Sequence, residues 1–306
     1  MKLGFCLPQM GSHVDGHSVR EVAIRAEQLG YDTLWVQQRL LRPLKPQIPY
    51  PSPDGSFPPQ YANVLGPIET LVYAAAITSR IKLGTSVIVH AYHSPVSLAK
   101  SVASLDVLSG GRVIFGVGLG WNKDEFDASG TPYRNRGQRL EEYIRCLEAI
   151  WGPDPVEFRG RFYQVPWSEI GPKPLQKPRP PMLLGAFAPP AIMRAGRLTD
   201  GWIPVAWGPL EGVGQGIQAA RQAAQEAGRD PAALQFPLVV IFFAPPGEPL
   251  GADRQPFAGS LAQIKEDGKR AEELGVTELI FQTNFLPDVK GKADYLRYLE
   301  LLRELG

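Results

Sequence analysis

The chain has 306 residues, 44% of them hydrophobic and 21% charged, enough apolar material to bury a large core and too much to remain disordered. Its formal net charge is +1 and no Lys/Arg block forms a basic face, which excludes a nucleic-acid backbone as the expected partner and leaves a small molecule as the default. No charged leader followed by a long apolar stretch opens the sequence, and no segment has the ~18–20 uninterrupted apolar residues that span a bilayer, so no membrane association and a cytoplasmic location are expected.

Residues 3–8 read as a buried strand, and Val19, Val22, Ala23, Ala26 and Leu29 recur at helical spacing until Gly30 supplies a stop. A second strand over residues 33–36 completes a βαβ unit. The alternation continues with a helix over 68–78 and a strand over 81–89, a helix over 96–108 and a strand over 113–117, then a helix over 137–151 and a strand over 182–184. Helices over 191–198, 216–227 and 261–274 precede strands over 202–205, 236–243 and 277–281, and a helix over 293–305 closes the order. Cys6 and Cys146 stand in apolar contexts without CxxC spacing, as buried packing residues in a reducing compartment do.

Strands alternating with helices throughout predict parallel neighbours joined by right-handed crossovers, and eight of them predict a (β/α)8 barrel rather than a doubly wound open sheet. The alternation leaves no linker, so residues 1–306 read as one domain. Two long departures, residues 42–67 and 152–181, are expected to shape the carboxyl-terminal face of the strands, where barrel enzymes build their sites. The first is rich in Pro and carries Tyr50, Phe57 and Tyr61; the second contains a hairpin pattern over 156–163 that turns at Gly160.

The predicted strand ends offer Gln9, Gln37, Gln38, His90, Leu119, Ala186, Trp207, Phe243 and Gln282. Neither the carboxylate pair of a glycosidase nor the Lys of a Schiff-base aldolase is among them. The four histidines, at 13, 17, 90 and 93, pair with no carboxylate at metal-ligand spacing, so no metal site is expected. A neutral, partly aromatic mouth suits a flat conjugated ring that carries its own chemistry. Gly116, Gly118 and Gly120 lie where a backbone must come close to something, yet the delayed helix after Trp121 rules out a dinucleotide fingerprint. The run Gly185, Ala186, Phe187, Ala188 sits between a strand and a helix, where backbone N–H groups and the positive helix end favour phosphate.

Several ordered stretches resemble the bacterial luciferase-like monooxygenase family, and within it the coenzyme F420-dependent oxidoreductases. They are residues 83–89, Ser94-Pro95 through Ala99-Lys100, residues 105–112 running into 116–121, and residues 195–202. The resemblance implies a (β/α)8 barrel, dimeric as a rule, with a deazaflavin or flavin ring at the strand ends. It implies a non-prolyl cis peptide at Ser86-Val87 behind the ring, ring contacts from Gly118, Leu119, Gly120 and Trp121, and a phosphate site at Gly185, Ala186, Phe187 and Ala188. It places Gln38 and Arg39 at the ring's redox edge, where this branch commonly carries an acidic residue and a His. Arg cannot act as a base near neutral pH, whereas Gln38 can hydrogen-bond a ring or a substrate. Arg134, Arg136, Lys173, Lys177 and Arg179 are expected to meet an anionic cofactor tail. Three functions follow: hydride transfer between coenzyme F420 and a small organic substrate, an FMN-dependent monooxygenase served by a flavin reductase, or a non-catalytic binder of such a cofactor. A homodimer is expected in each case.

Overall fold

The structure is a computed structural model that describes residues 1–52 and 54–305. Pro53, within the 42–67 loop, and Gly306 lie outside the described residues.

In chain order the strands are β1 (Lys2–Cys6), β2 (Thr33–Val36), β3 (Lys82–Thr85), β4 (Ile88–Val89), β5 (Val113–Gly118), β6 (Val156–Arg159), β7 (Gln164–Ser168), β8 (Met182–Gly185), β9 (Trp202–Ile203), β10 (Pro237–Ile241) and β11 (Glu278–Gln282). The helices are α1 (Gly16–Gln28), α2 (Pro67–Ile77), α3 (Pro95–Ser109), α4 (Lys123–Ala128), α5 (Arg136–Trp151), α6 (Pro189–Leu198), α7 (Leu210–Glu226), α8 (Leu261–Glu273) and α9 (Lys292–Arg303). Local chemistry sets their ends. Ser94 caps α3 by accepting from the Ser97 N–H and Pro95 takes the first turn, where its missing N–H costs nothing. Gly110, at φ 71°, ends the same helix in the left-handed conformation that glycine adopts freely.

The parallel sheet runs β10-β11-β1-β2-β3-β5-β8-β9, with β4 beside β5. Parallel bridges at Gly201↔Gln235 and Val205↔Val239 bring β9 to β10, and Ala206 N–H donates to the Val239 carbonyl at 2.9 Å. The predicted barrel is therefore present and nearly closed. Alternation splits its core in two: Leu34 and Val36 join the layer between strands and helices, whereas Trp35, Cys6, Ile114, Leu183, Val239 and Ile280 fill the lumen. Trp35 is fully buried, and a Cβ at Gly84 would run into its indole ring, so glycine on the neighbouring strand makes room for it.

Two expectations need correcting. The predicted strand over 81–89 is broken: β3 ends at Thr85, the Ser86-Val87 peptide is cis, and pairing resumes at Ile88. The 42–67 loop leaves the carboxyl end of β2 as expected, but residues 152–181 connect a helix to a strand and reach β8 at its amino end. Gln176 there bonds the Asp106 carboxylate at the end of α3 and the Val113 carbonyl at the start of β5. The hairpin of this segment is β6 with β7, its second arm a few residues later than predicted, and Glu142 of α5 receives the N–H groups of Arg161, Phe162 and Tyr163 in its turn.

Candidate active site

The carboxyl ends of the strands form a mouth whose floor is the break in the third barrel strand. Val87 projects between β5 and β8. A Cβ at Gly118 would run into Val87 Cγ2, and one at Gly185 would stand 2.8 Å from Val87 Cγ1. These glycines are therefore required by the bulge itself, and together the three residues make a flat, side-chain-poor surface. Thr85 secures it from below, its hydroxyl donating to the Gly116 carbonyl and accepting the Gly116 N–H, both at 2.8 Å. Gly120, at φ 73°, turns the chain away from the mouth where Val89 and Phe126 leave no space for a Cβ.

Gln38 and Arg39, expected at the reactive edge, are both held by the protein. Gln38 Oε1 accepts the Val89 N–H at 2.9 Å, which fixes its amide so that Nε2 donates to His93 Nε2 at 2.7 Å. His93 must then carry its own proton on Nδ1, and burial, opposed by Glu69, lowers the pKa of its ring. Arg39 Nη1 lies 3.2 Å from the carboxylate of Glu125, a wholly buried side chain that also accepts the Leu40 N–H at 2.7 Å and the Tyr92 hydroxyl at 3.0 Å. The guanidinium sits 4.7 Å from the centroid of the Tyr61 ring and 5.4 Å from that of Trp121. Burial works against its charge, but Tyr61 and Glu125 outweigh burial, and Arg39 titrates above the usual arginine range. It is a fixed cation and no base.

Glu125 and Tyr92 are not marked by any motif, whereas His93, like His90, follows the third strand toward the mouth. The nearest signal for Glu125 was the capping pattern at Asn122, which accepts the Asp124 N–H and starts α4. His90 is fully buried with Nδ1 against the Gly118 carbonyl at 3.1 Å, and burial pushes its pKa down to about 4. It is a neutral strut behind the glycine surface.

On the opposite side of the mouth an amide network joins three strand ends. Gln9 Oε1 accepts the Gln37 N–H at 2.5 Å, Gln282 Nε2 donates to Gln37 Oε1 at 3.4 Å, and Gln282 Oε1 accepts from Asn284 Nδ2 at 2.6 Å. Above them the 42–67 loop folds inward as an aromatic cover: Phe57 stacks on Trp121 at 5.4 Å and 14°, with Tyr50, Tyr61 and Phe285 packed around the pair. Trp121 thus belongs to the cover, while Leu119 packs toward the helices.

The predicted phosphate turn offers fewer donors than its position suggested. Pro189 and Pro190 have no N–H, and those of Ala191 and Ile192 both bond the Ala188 carbonyl, which leaves the turn the N–H groups of residues 186–188. Phe187 is exposed and stacks on Trp207. The basic residues expected at a cofactor tail are in part elsewhere. Lys173 pairs with Asp154, Arg179 with Glu148 and Asp200, and Lys177 donates to the Pro174 carbonyl, all on the segment entering β8 from below. Arg136 lies over the Tyr133 ring, 4.2 Å from its centroid.

Buried polar groups without partners bear on whether a flavin-like ring fits. Arg39 Nε, Asn122 Nδ2 and Thr283 Oγ1 are buried, unpartnered within the protein and located just past the carboxyl ends of β2, β5 and β11. Buried donors are almost always satisfied, so these three are available to an acceptor-edged ligand that reaches them, whereas His90 Nε2, Arg139 Nε, Arg221 Nε and Asp288 Oδ1 are likewise unpartnered elsewhere. Among the described residues no cluster of His, Cys, Asp and Glu is arranged to hold a metal, and no helix is long and apolar enough to cross a membrane.

A sequence model of the luciferase-like monooxygenases matches residues 1–248. An uncharacterized protein of Mycobacterium tuberculosis is 34% identical over 281 residues, 90% of this chain and 89% of its own. An F420-dependent glucose-6-phosphate dehydrogenase of Amycolatopsis mediterranei is 30% identical over 221 residues, 68% of this chain and 62% of its own. An FMNH(2)-dependent dimethylsulfone monooxygenase of Pseudomonas putida is 34% identical over 156 residues, 50% and 42% of the two chains. Among solved structures, the monooxygenase RslO1 from Streptomyces bottropensis superposes with a TM-score of 0.81 at 20% identity, over 99% of this chain and 98% of its own.

Proposed function

The chain belongs to the luciferase-like monooxygenase family, a family of oxidoreductases, and from that premise we propose that it is a coenzyme F420-dependent oxidoreductase acting on a small organic molecule. The observation that carries the reading is the set of unpartnered buried groups at Arg39, Asn122 and Thr283 around the flat Val87, Gly118 and Gly185 surface. The choice of the deazaflavin over FMN is supported by the longer match to the F420-dependent relative, 221 residues against 156.

When bound, the deazaflavin supplies a carbon centre that gives or takes hydride. The protein's part is positioning. Val87, Gly118 and the backbone of Leu119 and Gly120 form the face against which the ring lies, with Ser86 anchored through its N–H to the Val36 carbonyl at 2.7 Å. Arg39 and Asn122 present donors to its polar edge, Trp121 covers it, and the backbone of Gly185, Ala186, Phe187 and Ala188 receives phosphate. Gln38 holds the bulge and the edge of the pocket in register through Val89 and His93. Arg39 contributes a permanent positive charge there and abstracts no proton. A homodimer is part of the proposal, and light scattering at micromolar concentration tests it.

Equilibrium titration with coenzyme F420 and with FMN tests the reading. Micromolar or tighter binding of the deazaflavin is expected, followed by substrate-dependent change in its absorbance. Tight FMN binding with no deazaflavin binding would reject it in favour of a monooxygenase that receives reduced flavin from a reductase, the activity toward which the Pseudomonas relative points.

A further inference from the structure

Two clefts open at the mouth, joined to the residues of the cofactor reading through Phe57 stacked on Trp121 and Trp207 stacked on Phe187. One, of about 490 Å³, lies under the 42–67 loop, and the other, of about 680 Å³, lies between the ends of β9 and β10 and the segment 244–259. They share Pro51, Trp207 and Phe243 and so form one groove across the mouth. Either half is of the size that holds a whole small-molecule ligand.

The groove's walls are aromatic. Tyr50 and Phe57 line one half, Phe242 and Phe257 the other, and Trp207 and Phe243 stand where the halves meet. Trp207 is 46% exposed and Phe243 55% exposed, large for aromatic side chains where two clefts meet. Phe187 stacks on Trp207 at 5.5 Å and 17°, and Phe243 leans on Phe285 at 5.9 Å, so both exposed rings are braced from behind. The charge in the groove is sparse. Arg42 is its cation, and Arg42 Nε is committed to the Phe57 carbonyl at 2.9 Å; Glu248 is exposed at the rim. Recognition of a phosphate or carboxylate uses convergent, charge-assisted donors, and no Lys or second Arg lines these walls.

We propose that this groove is the substrate site and that it selects an uncharged, predominantly apolar molecule built of fused or linked rings, held between the braced faces of Trp207 and Phe243. The inference rests on the oxidoreductase reading for the word substrate, but the site itself is tested by binding alone.

The full chain is titrated, by tryptophan fluorescence and calorimetry, with 2-decalone and androstenedione as neutral bicyclic and tetracyclic probes and with glucose 6-phosphate as an anionic comparator. Saturable binding of the neutral probes is expected, tighter for the tetracycle, with none for the sugar phosphate. Trp207→Ala and Phe243→Ala should each weaken the tetracycle about tenfold or more, as loss of an aromatic anchor does. Trp207→Phe should restore most of that loss, and cofactor affinity measured separately should stay within about threefold for Phe243→Ala, whose ring touches no residue of the cofactor site. Both side chains are exposed, and matching unfolding transitions establish that the variants fold. Absence of neutral-probe binding, tighter binding of the sugar phosphate, or variants within about twofold of the parent would overturn the proposal. Failure of the cofactor reading is distinguishable, because neither coenzyme F420 nor FMN would then bind while the ring probes still do.

Discussion

Replacing Glu125 with Gln isolates the charge that holds Arg39 in the mouth. The carboxylate is wholly buried and Arg39 retains 13% side-chain exposure, so the pair is screened little by solvent. Gln keeps the shape and one carbonyl oxygen, enough to accept the Leu40 N–H, but turns an amide nitrogen toward donors of Arg39 and Tyr92 and leaves a buried cation without a counter-charge. Removing one partner of such a pair costs about 3–5 kcal/mol. That is a large share of the ~5–15 kcal/mol that holds a domain folded. With a urea slope near the upper end of the usual range, ~3 kcal/mol/M, the midpoint should fall by more than ~1 M. The double variant Glu125→Gln/Arg39→Gln should recover part of the loss, since the unpaired charge is gone, giving a coupling of ~1–3 kcal/mol in the cycle. Equilibrium urea unfolding followed by fluorescence and circular dichroism measures all four corners. A loss below ~1 kcal/mol for Glu125→Gln would refute the reasoning, because the pair would then behave like an exposed ion pair.

Gly118→Ala places a methyl against Val87 Cγ2 and should cost ~1–3 kcal/mol as overpacking does, with weaker cofactor binding; Val87→Ala in the same chain leaves an ordinary 3.5 Å contact and should restore most of the stability, readable in thermal unfolding. Glu278, buried in the lumen, accepts from Thr33 and from Trp35 Nε1 at 2.8 Å, yet burial outweighs these bonds and pushes its pKa from 4.5 up to about 7. Because the folded value lies above the unfolded one, its neutral form favours folding at low pH, and this contribution is lost as pH rises from about 4.5 through about 7. Glu278→Gln should flatten that limb of the stability-pH curve by about 3 kcal/mol, and an unchanged curve would show the group to be hydrated. Burial also raises both thiols, Cys146 to about 11 and Cys6 further, so Ellman's reagent should titrate neither in the native protein and both after unfolding; fast native reaction at Cys6 would show that the lumen opens.

The architecture was legible because its determinants are local. Apolar spacing at 3.6 residues in α1 and short apolar runs in β2 and β11 each lie within one window of sequence, and strict alternation leaves few topologies other than a parallel barrel. Loop length proved a poorer guide. Residues 152–181 are as conspicuous as 42–67, but length does not say which end of a strand a loop serves; the order does, since a segment between helix and strand must arrive at an amino end. Read that way, Lys173, Lys177 and Arg179 could have been kept away from the cofactor tail from the start.

The chemistry at the mouth was legible only by halves, for a reason that is physical rather than statistical. Gly118 and Gly185 stand out in sequence as missing side chains, but what they make room for is Val87, a residue that no pattern within either strand identifies. Arg39 stands out as a charge at a strand end, but its meaning depends on Glu125, 86 residues away on a helix set by the cap at Asn122. Without that partner Arg39 reads as a charge where an acid/base pair is expected; with it, the residue is an ion-paired, ring-stacked cation whose buried Nε has no partner within the protein. The same pairing changes what a reaction here can ask of the protein. With Gln38 committed to Val89 and His93 and Arg39 unable to take a proton, neither side chain supplies a base at that edge, and a proton moved there would have to pass through another group.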